Sequence, residues 1–215
     1  MIKYVNIYGE RCSGTNYLEE LIKTNFDVEL TIKHGFKHFF GFNNFTNSDD
    51  TLFIGIIRSP YDWINSFYRD KWHLPPCNTS SVESFLNNEH YSIDKTGQEL
   101  MQDRHIYTNE RYKNIFELRH VKNKFLIEEM PLLVKNYLLI SYESLLYDFT
   151  NTMHNIKNKG LIVKSNIEFP VNVKYYRKYK TTPFVINSKP NYISKEQVMD
   201  KFNMTYEKML FKGYI

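Results

Sequence analysis

Cysteine is nearly absent from this chain: its 215 residues include two, Cys12 and Cys77, too few for the disulfide framework of a small secreted fold. Long apolar runs are missing as well. The longest, such as Leu52 to Ile57, fall far short of the roughly 18 residues that mark a membrane helix, so no membrane span is expected. Glycine and proline are scarce, at 8 and 7 residues, and no repeat, low-complexity tract or long linker divides the chain. The segment Ile2 to Tyr8 reads as a strand, without the basic region, apolar core and cleavage site of a secretory signal. A cytoplasmic protein is therefore the expectation. The net charge of +4 favours anions but is well below that of a nucleic-acid coat or a polybasic membrane anchor.

What is present is an ordinary globular balance, 42% hydrophobic and 24% charged residues, in a length that suits one domain over 1–215. Tyr4 to Tyr8 alternates as a strand, Gly9 to Gly14 is a polar turn, and Tyr17, Leu18, Leu21 and Ile22 recur at helical spacing. Val28 to Ile32 reads as a short strand. Thr51 to Ile57 is the apolar run of a strand buried on both faces, with Arg58 at its carboxyl end and a helix opening at Ser59 and Pro60. Residues 82 to about 130 read as mostly helical, with interruptions near Thr96. Tyr137 to Ile140 is another buried strand, Tyr142 to Ile156 a helix, and Ser194 opens a final short helix. Strands alternating with helices predict an α/β fold, a three-layer sandwich with a mainly parallel central sheet flanked by helices.

Two sites in this plan suit anions. Gly9 and Gly14 have the G-x-x-x-x-G spacing of a nucleotide phosphate loop, between a strand and a helix. Glycines let the backbone turn so that its amides face an anion, and the helix dipole adds to the attraction. A bare strand-to-helix turn is the plainer reading. Thr15 and Asn16 stand where an ATP or GTP hydrolase carries Lys and Ser or Thr, which argues against ordinary nucleotide hydrolysis. Cys12 suggests a cysteine phosphatase, but Leu18 occupies the position where that chemistry wants Arg. The second site is Arg58 with Ser66 two helical turns on, a planar fork and a hydroxyl able to share one phosphate; the plainer reading is an ion-paired strand end.

Together these segments resemble the sulfotransferase family, whose donor is 3′-phosphoadenosine-5′-phosphosulfate. The loop Arg11-Cys12-Ser13-Gly14-Thr15-Asn16 resembles the segment that binds the 5′ phosphosulfate. Arg58, Pro60 and Ser66 match the motif that binds the 3′ phosphate. Ser141-Tyr142-Glu143-Ser144-Leu145 resembles the segment whose Tyr approaches the adenine. The match spans roughly residues 5 to 150 and implies a P-loop nucleotide-binding fold. It departs from the family at Cys12, where many members carry Lys or Arg, and at Arg177-Lys178-Tyr179, which lacks the glycine of an Arg-Lys-Gly segment.

Sulfuryl transfer to a hydroxyl needs a base for the acceptor proton and a cation near the departing oxygen. Lys37 is the candidate cation; His38 or His34 is the candidate base, with Glu10 a further possibility. A His34 and His38 pair would also suit zinc on a helix, but Gly35 and the lack of a third ligand argue against a metal. Residues 157 to 180 are strongly basic and include Tyr175, Tyr176 and Tyr179, a combination compatible with stacked bases, an anionic glycan or plain solvation. The expected partner is a small-molecule or glycan acceptor rather than nucleic acid. The alternatives are a nucleotide or small-molecule kinase with an atypical phosphate loop, and a non-catalytic nucleotide-binding protein.

Overall fold

A computed structural model describes residues 1–38, 44–164, 169, 174–177, 180–183 and 190–211. Four parallel strands form the central sheet in the order β2 (Glu29–Leu30), β1 (Tyr4–Tyr8), β3 (Thr51–Ile57) and β6 (Tyr137–Ser141). Every residue of β3 is buried, because it lies between β1 and β6 with both faces covered; an uninterrupted apolar strand is the sequence form of that position. Successive side chains alternate between the faces. Val5, Ile7, Leu52, Ile54 and Ile56 pack with α1 (Thr15–Asn25), α7 (Tyr142–Tyr147) and α8 (Phe149–Lys157). Tyr8, Phe53 and Ile57 face Phe125, Leu126 and Met130 on the other side. Gly55 is required here by close approach: a Cβ would collide with the Tyr137 hydroxyl, which donates to the Leu126 carbonyl at 2.6 Å.

Between β3 and β6 lie α2 (Pro60–Arg69), α3 (Pro76–Thr79), α4 (Val82–Asn87), the hairpin β4 (Ser92–Ile93) and β5 (Glu99–Leu100), α5 (Ile115–Lys124), a π-helical turn Phe125–Glu129 and α6 (Met130–Leu133). The apolar faces of α2, α4 and α5 meet in a second cluster around Trp63, Phe67, Phe85 and Ile115.

Several sequence expectations change here. The stretch expected as mostly helical breaks after α4 because the Asp94 carboxylate accepts from the Thr96 and Gln98 amides and Gly97 turns at φ +87°, which closes a hairpin. The helix expected over Tyr142 to Ile156 is two, parted at Asp148 with φ −135° and ψ 45°. The strand read over Val28 to Ile32 shortens to the two residues of β2. Ser194 opens turns rather than a helix, and the last described helix is α9 (Met204–Leu210), capped by Asn203. Much of the basic stretch falls outside the described residues, including Lys178 and Tyr179; Tyr175, Tyr176 and Arg177 lie on β7 (Lys174–Arg177), paired with β8 (Lys180–Pro183). Both cysteines are free thiols.

Candidate functional site

The loop leaving β1 is tightly held. Gly9 passes so close to β3 that a Cβ would stand 2.6 Å from the Ile56 carbonyl oxygen. Its amide donates to the Lys37 carbonyl at 3.0 Å, and its carbonyl accepts from His38 Nδ1 at 2.7 Å. The Ser13 amide closes a turn onto the Glu10 carbonyl, and Cys12 and Gly14 both adopt positive φ, 64° and 96°. Gly14 caps α1 without a side-chain hydrogen bond, and no acid occupies the first turn. A helix amino terminus with neither a side-chain cap nor an acid in its first turn favours an anion.

Three separated segments converge on this loop, at the carboxyl ends of the adjacent strands β1, β3 and β6. Arg58, just beyond β3, donates from Nη1 to the Cys12 carbonyl at 3.1 Å and lies 4.6 Å from the centroid of the Tyr142 ring. Tyr142, just beyond β6, packs against Gly14 so closely that no Cβ fits there. Ser66 on α2 lies close enough to the Cys12 thiol to influence it, and Trp63 Nε1 donates to the Arg11 carbonyl at 2.9 Å. The Ser59 amide donates to Glu143 at 2.9 Å, tying the ends of β3 and β6. Arg119 holds the backbone of Arg58, donating from Nη2 to its carbonyl at 2.8 Å, while its Nε meets Glu207 at 2.6 Å. Thus Arg58, Ser66, Tyr142 and the loop are neighbours.

Burial pushes the Cys12 thiol up to about 12, and the nearby Asp70 charge adds to the rise while Arg58 opposes it. A thiol so shifted stays protonated at neutral pH and is no nucleophile. This adds to the case against the phosphatase reading already made by Leu18, which stands where that chemistry wants Arg.

Arg11 points away from any ligand in the loop. Its Nε and Nη2 donate to Asp103 at 3.2 and 2.8 Å, so it contributes backbone to the loop and not a side-chain cation. Beneath it Lys122 is wholly buried, 2.7 Å from Glu10 Oε2 and 3.5 Å from Asp103 Oδ1, and donates to the His38 carbonyl at 2.9 Å. Burial opposes ionisation of Asp103, yet Lys122 and Arg11 hold its carboxyl far below the usual carboxylate range. Glu10 is therefore part of the foundation: it is buried against Lys122 and accepts from the Arg11 amide at 2.7 Å.

Asp103 and Lys122 escaped the sequence reading, which named Glu143 only as part of a segment and gave Trp63 no role at the loop. Lys122 left one legible trace, since it falls on the buried stripe of α5 with Ile115 and Leu118, a helical spacing normally filled by apolar residues.

Lys37 reaches the outer edge of the loop. Its Nζ donates to the Asn16 side chain and lies 3.0 and 2.9 Å from the two carboxylate oxygens of Glu19. The candidate bases lie elsewhere. His38 is buried, with Nδ1–H on the Gly9 carbonyl, and burial together with the Arg11 charge lowers its pKa to about 3. His34 is also buried, donating from Nδ1 to the Asn44 carbonyl at 3.0 Å with its ring 5.3 Å from that of Phe53. Both imidazoles support the fold beneath the loop instead of facing an approaching acceptor. Residues 33–38 form turns rather than a helix, so His34 and His38 do not present the helical pair a zinc site would use. Phe39 and Phe40, which follow His38 in sequence, lie outside the described residues.

Comparison with known proteins finds no matching family model and no matching curated protein.

Proposed function

We propose that this chain is a sulfotransferase with a P-loop-type donor site, taking 3′-phosphoadenosine-5′-phosphosulfate and an acceptor hydroxyl. The observation that carries the reading is the meeting of Arg58, Ser66 and Tyr142 on the loop of residues 9–14, from three places in the sequence. Ligands of open parallel sheets bind outside the carboxyl ends of the strands, and all three residues lie there. The donor also fits the chemistry of the residues present. Arg58 Nε is a buried donor with no partner among the described residues, and an Arg fork suits a phosphate.

In this proposal the amides of Cys12, Gly14, Thr15 and Asn16 hold the 5′ end, Arg58 and Ser66 hold the 3′ phosphate, and Tyr142 flanks the adenine. When bound, the donor supplies an activated sulfuryl group. Lys37 stands beside Asn16, where its charge attracts the negative end of the ligand; Thr15 and Asn16 offer no lysine for a nucleoside triphosphate. No described helix is long and apolar enough to cross a membrane, and a cytoplasmic location belongs to the same proposal. One observation favours a second reading, a non-catalytic nucleotide-binding protein: Lys37, His38 and His34 are all engaged within the fold.

Calorimetric titration with 3′,5′-adenosine bisphosphate, beside ATP with magnesium, tests the donor site. Preferential binding of the bisphosphate, weakened at least about tenfold by Arg58→Ala as one lost charged hydrogen bond predicts, supports it. Folded protein that ignores the bisphosphate overturns it, and tight magnesium-ATP binding points to a kinase. Transfer of labelled sulfate to an acceptor separates the enzyme from the mere binder.

A further inference from the structure

The central sheet has two edges, and they are built differently. At one, β2 is two residues long and carries the exposed Glu29, and an antiparallel bridge between Phe26 and Val163 lies just before it. Short strands and charged side chains are the usual protection of an edge. At the other, β6 runs Tyr-Leu-Leu-Ile-Ser, with no charge, no proline and no break in its register with β3. Tyr137, Leu138 and Leu139 remain partly exposed, whereas every residue of β3 is buried. No described strand pairs with the outer side of β6.

We infer that two copies of this chain join edge to edge through β6, antiparallel about a dyad at Leu139, so that the four strands of each copy merge into one sheet. Such pairing is independent of the transferase reading.

The ladder fixes which backbone groups are available. The Phe53 amide donates to the Asn136 carbonyl at 2.9 Å, and in a parallel ladder successive residues of a strand bond to opposite sides. Leu138 and Ile140 therefore turn their amides and carbonyls to β3. Those of Tyr137 and Leu139, with the Ser141 amide, face outward, and no described group pairs with them. Such a row is a template for another strand. Centring the pair on Leu139 lets this residue exchange two hydrogen bonds with its copy. It also sets each Ser141 amide on the partner's Tyr137 carbonyl.

A second copy is the occupant that this edge favours. Its outward groups are self-complementary about Leu139, as a twofold interface demands, and the lack of charge from Tyr137 to Ser141 means that no like charges are opposed. The cross-strand contacts are apolar, Leu139 on its copy on one face and Leu138 on the partner's Ile140 on the other. The helix α6, which touches β6, carries Leu132 and Leu133 at 86% and 49% exposure. Apolar surface thus flanks the open edge, and covering it adds to the hydrogen bonds. Because the two sheets run in opposite directions, the strand ends that carry Arg58 and Tyr142 point to opposite sides of the assembly and both anion loops stay open.

Sedimentation equilibrium of the whole chain is the first test. We expect reversible dimers of twice the 25.9 kDa monomer mass, with a Kd at or below ~100 μM, the weak end of specific association. Leu139→Pro removes an amide that the ladder with β3 does not use, and is expected to weaken the dimer at least about tenfold through the two hydrogen bonds lost. Cross-linking reads the register. With Cys77→Ser as background, mild oxidation is expected to join Leu139→Cys into a covalent dimer, because facing α-carbons lie about 5.5 Å apart, within disulfide reach. Ser141→Cys, roughly 13 Å from its copy across four residues of strand, is expected to stay unlinked. A chain that remains monomeric overturns the inference. So does a dimer indifferent to Leu139→Pro, or oxidation that leaves Leu139→Cys unlinked; should Leu139→Pro fail to fold, the cross-linking pair decides.

Discussion

Tyr142 closes over Gly14 from the far side of the sheet, and the guanidinium of Arg58 rests on the same ring, 4.6 Å from its centroid. The aromatic ring thereby joins the ends of three strands. Gly14 is doubly constrained, since it has φ +96° and no room for a methyl group.

Gly14→Ala is expected to destabilise the protein by more than the ~1–2 kcal/mol of a left-handed L-residue alone, because the new Cβ strikes Tyr142. Urea unfolding of Gly14→Ala, Tyr142→Ala and the double variant measures the coupling. The double variant should recover part of the loss. Strict additivity would mean that the ring does not crowd Gly14.

Replacing Lys122 by Met leaves Glu10 buried without its cation and Asp103 with Arg11 alone. Removing one partner of a buried ion pair costs about 3–5 kcal/mol, and that loss is expected in denaturant unfolding at pH 7. The depressed Asp103 pKa gives the pH sign. Its contribution is present above the ordinary carboxylate value of about 4 and fades as pH falls through the lower folded value. In Lys122→Met the Asp103 carboxyl titrates at higher pH, so acid weakening sets in earlier. An unchanged acid profile in that variant would refute this account.

Three buried histidines make the protein acid-sensitive by a separate route. Burial lowers His38 and His73 to about 3 and His90 to about 4. The folded state keeps them neutral while the unfolded chain takes up protons below about 6.5, so stability is full above that pH and falls toward pH 4. Each contributes up to about 1.4 kcal/mol per pH unit in that window. His73 packs flat on Phe67, with centroids 5.2 Å apart, and neither ring nitrogen has a hydrogen-bond partner among the described residues. His73→Phe should therefore stabilise the protein by about 1 kcal/mol at neutral pH and flatten the dependence below 6.5. A steeper dependence in that variant would contradict it.

The central sheet was legible because its strands carry the plainest signal available, short apolar runs bounded by polar turns. The loop and Arg58 were legible for a related reason: glycine spacing and strand-end position are local properties. Residues 88–114 were not, since the hairpin there depends on Asp94 and Gly97 acting over four residues, a weaker pattern than helical periodicity. The roles of Arg11, His34 and His38 were beyond local reading altogether. A cation beside a phosphate loop and a histidine beside a lysine look functional in sequence. Only the arrival of Asp103 from 92 residues away, and the burial of both imidazoles under β1 and β3, shows that they support the loop from below.

Cys12 and Cys77 offer a chemical check on the loop. With its thiol pushed up to about 12, Cys12 should resist iodoacetamide at pH 8, while the exposed Cys77 reacts. Mass spectrometry should find a single carbamidomethyl group on native protein and two after denaturation. Equal labelling of both native cysteines would show that the loop is more open than this geometry.

The loop's contacts also bear on when it forms. It is held by groups 46, 52 and 92 residues away, on Arg58, Trp63 and Asp103, and the Lys122 bond to His38 spans 84. Closing such distances costs chain entropy before any contact repays it. The loop therefore cannot be built from local structure alone: it closes only when segments from β3, α2 and α5 are already in place around it.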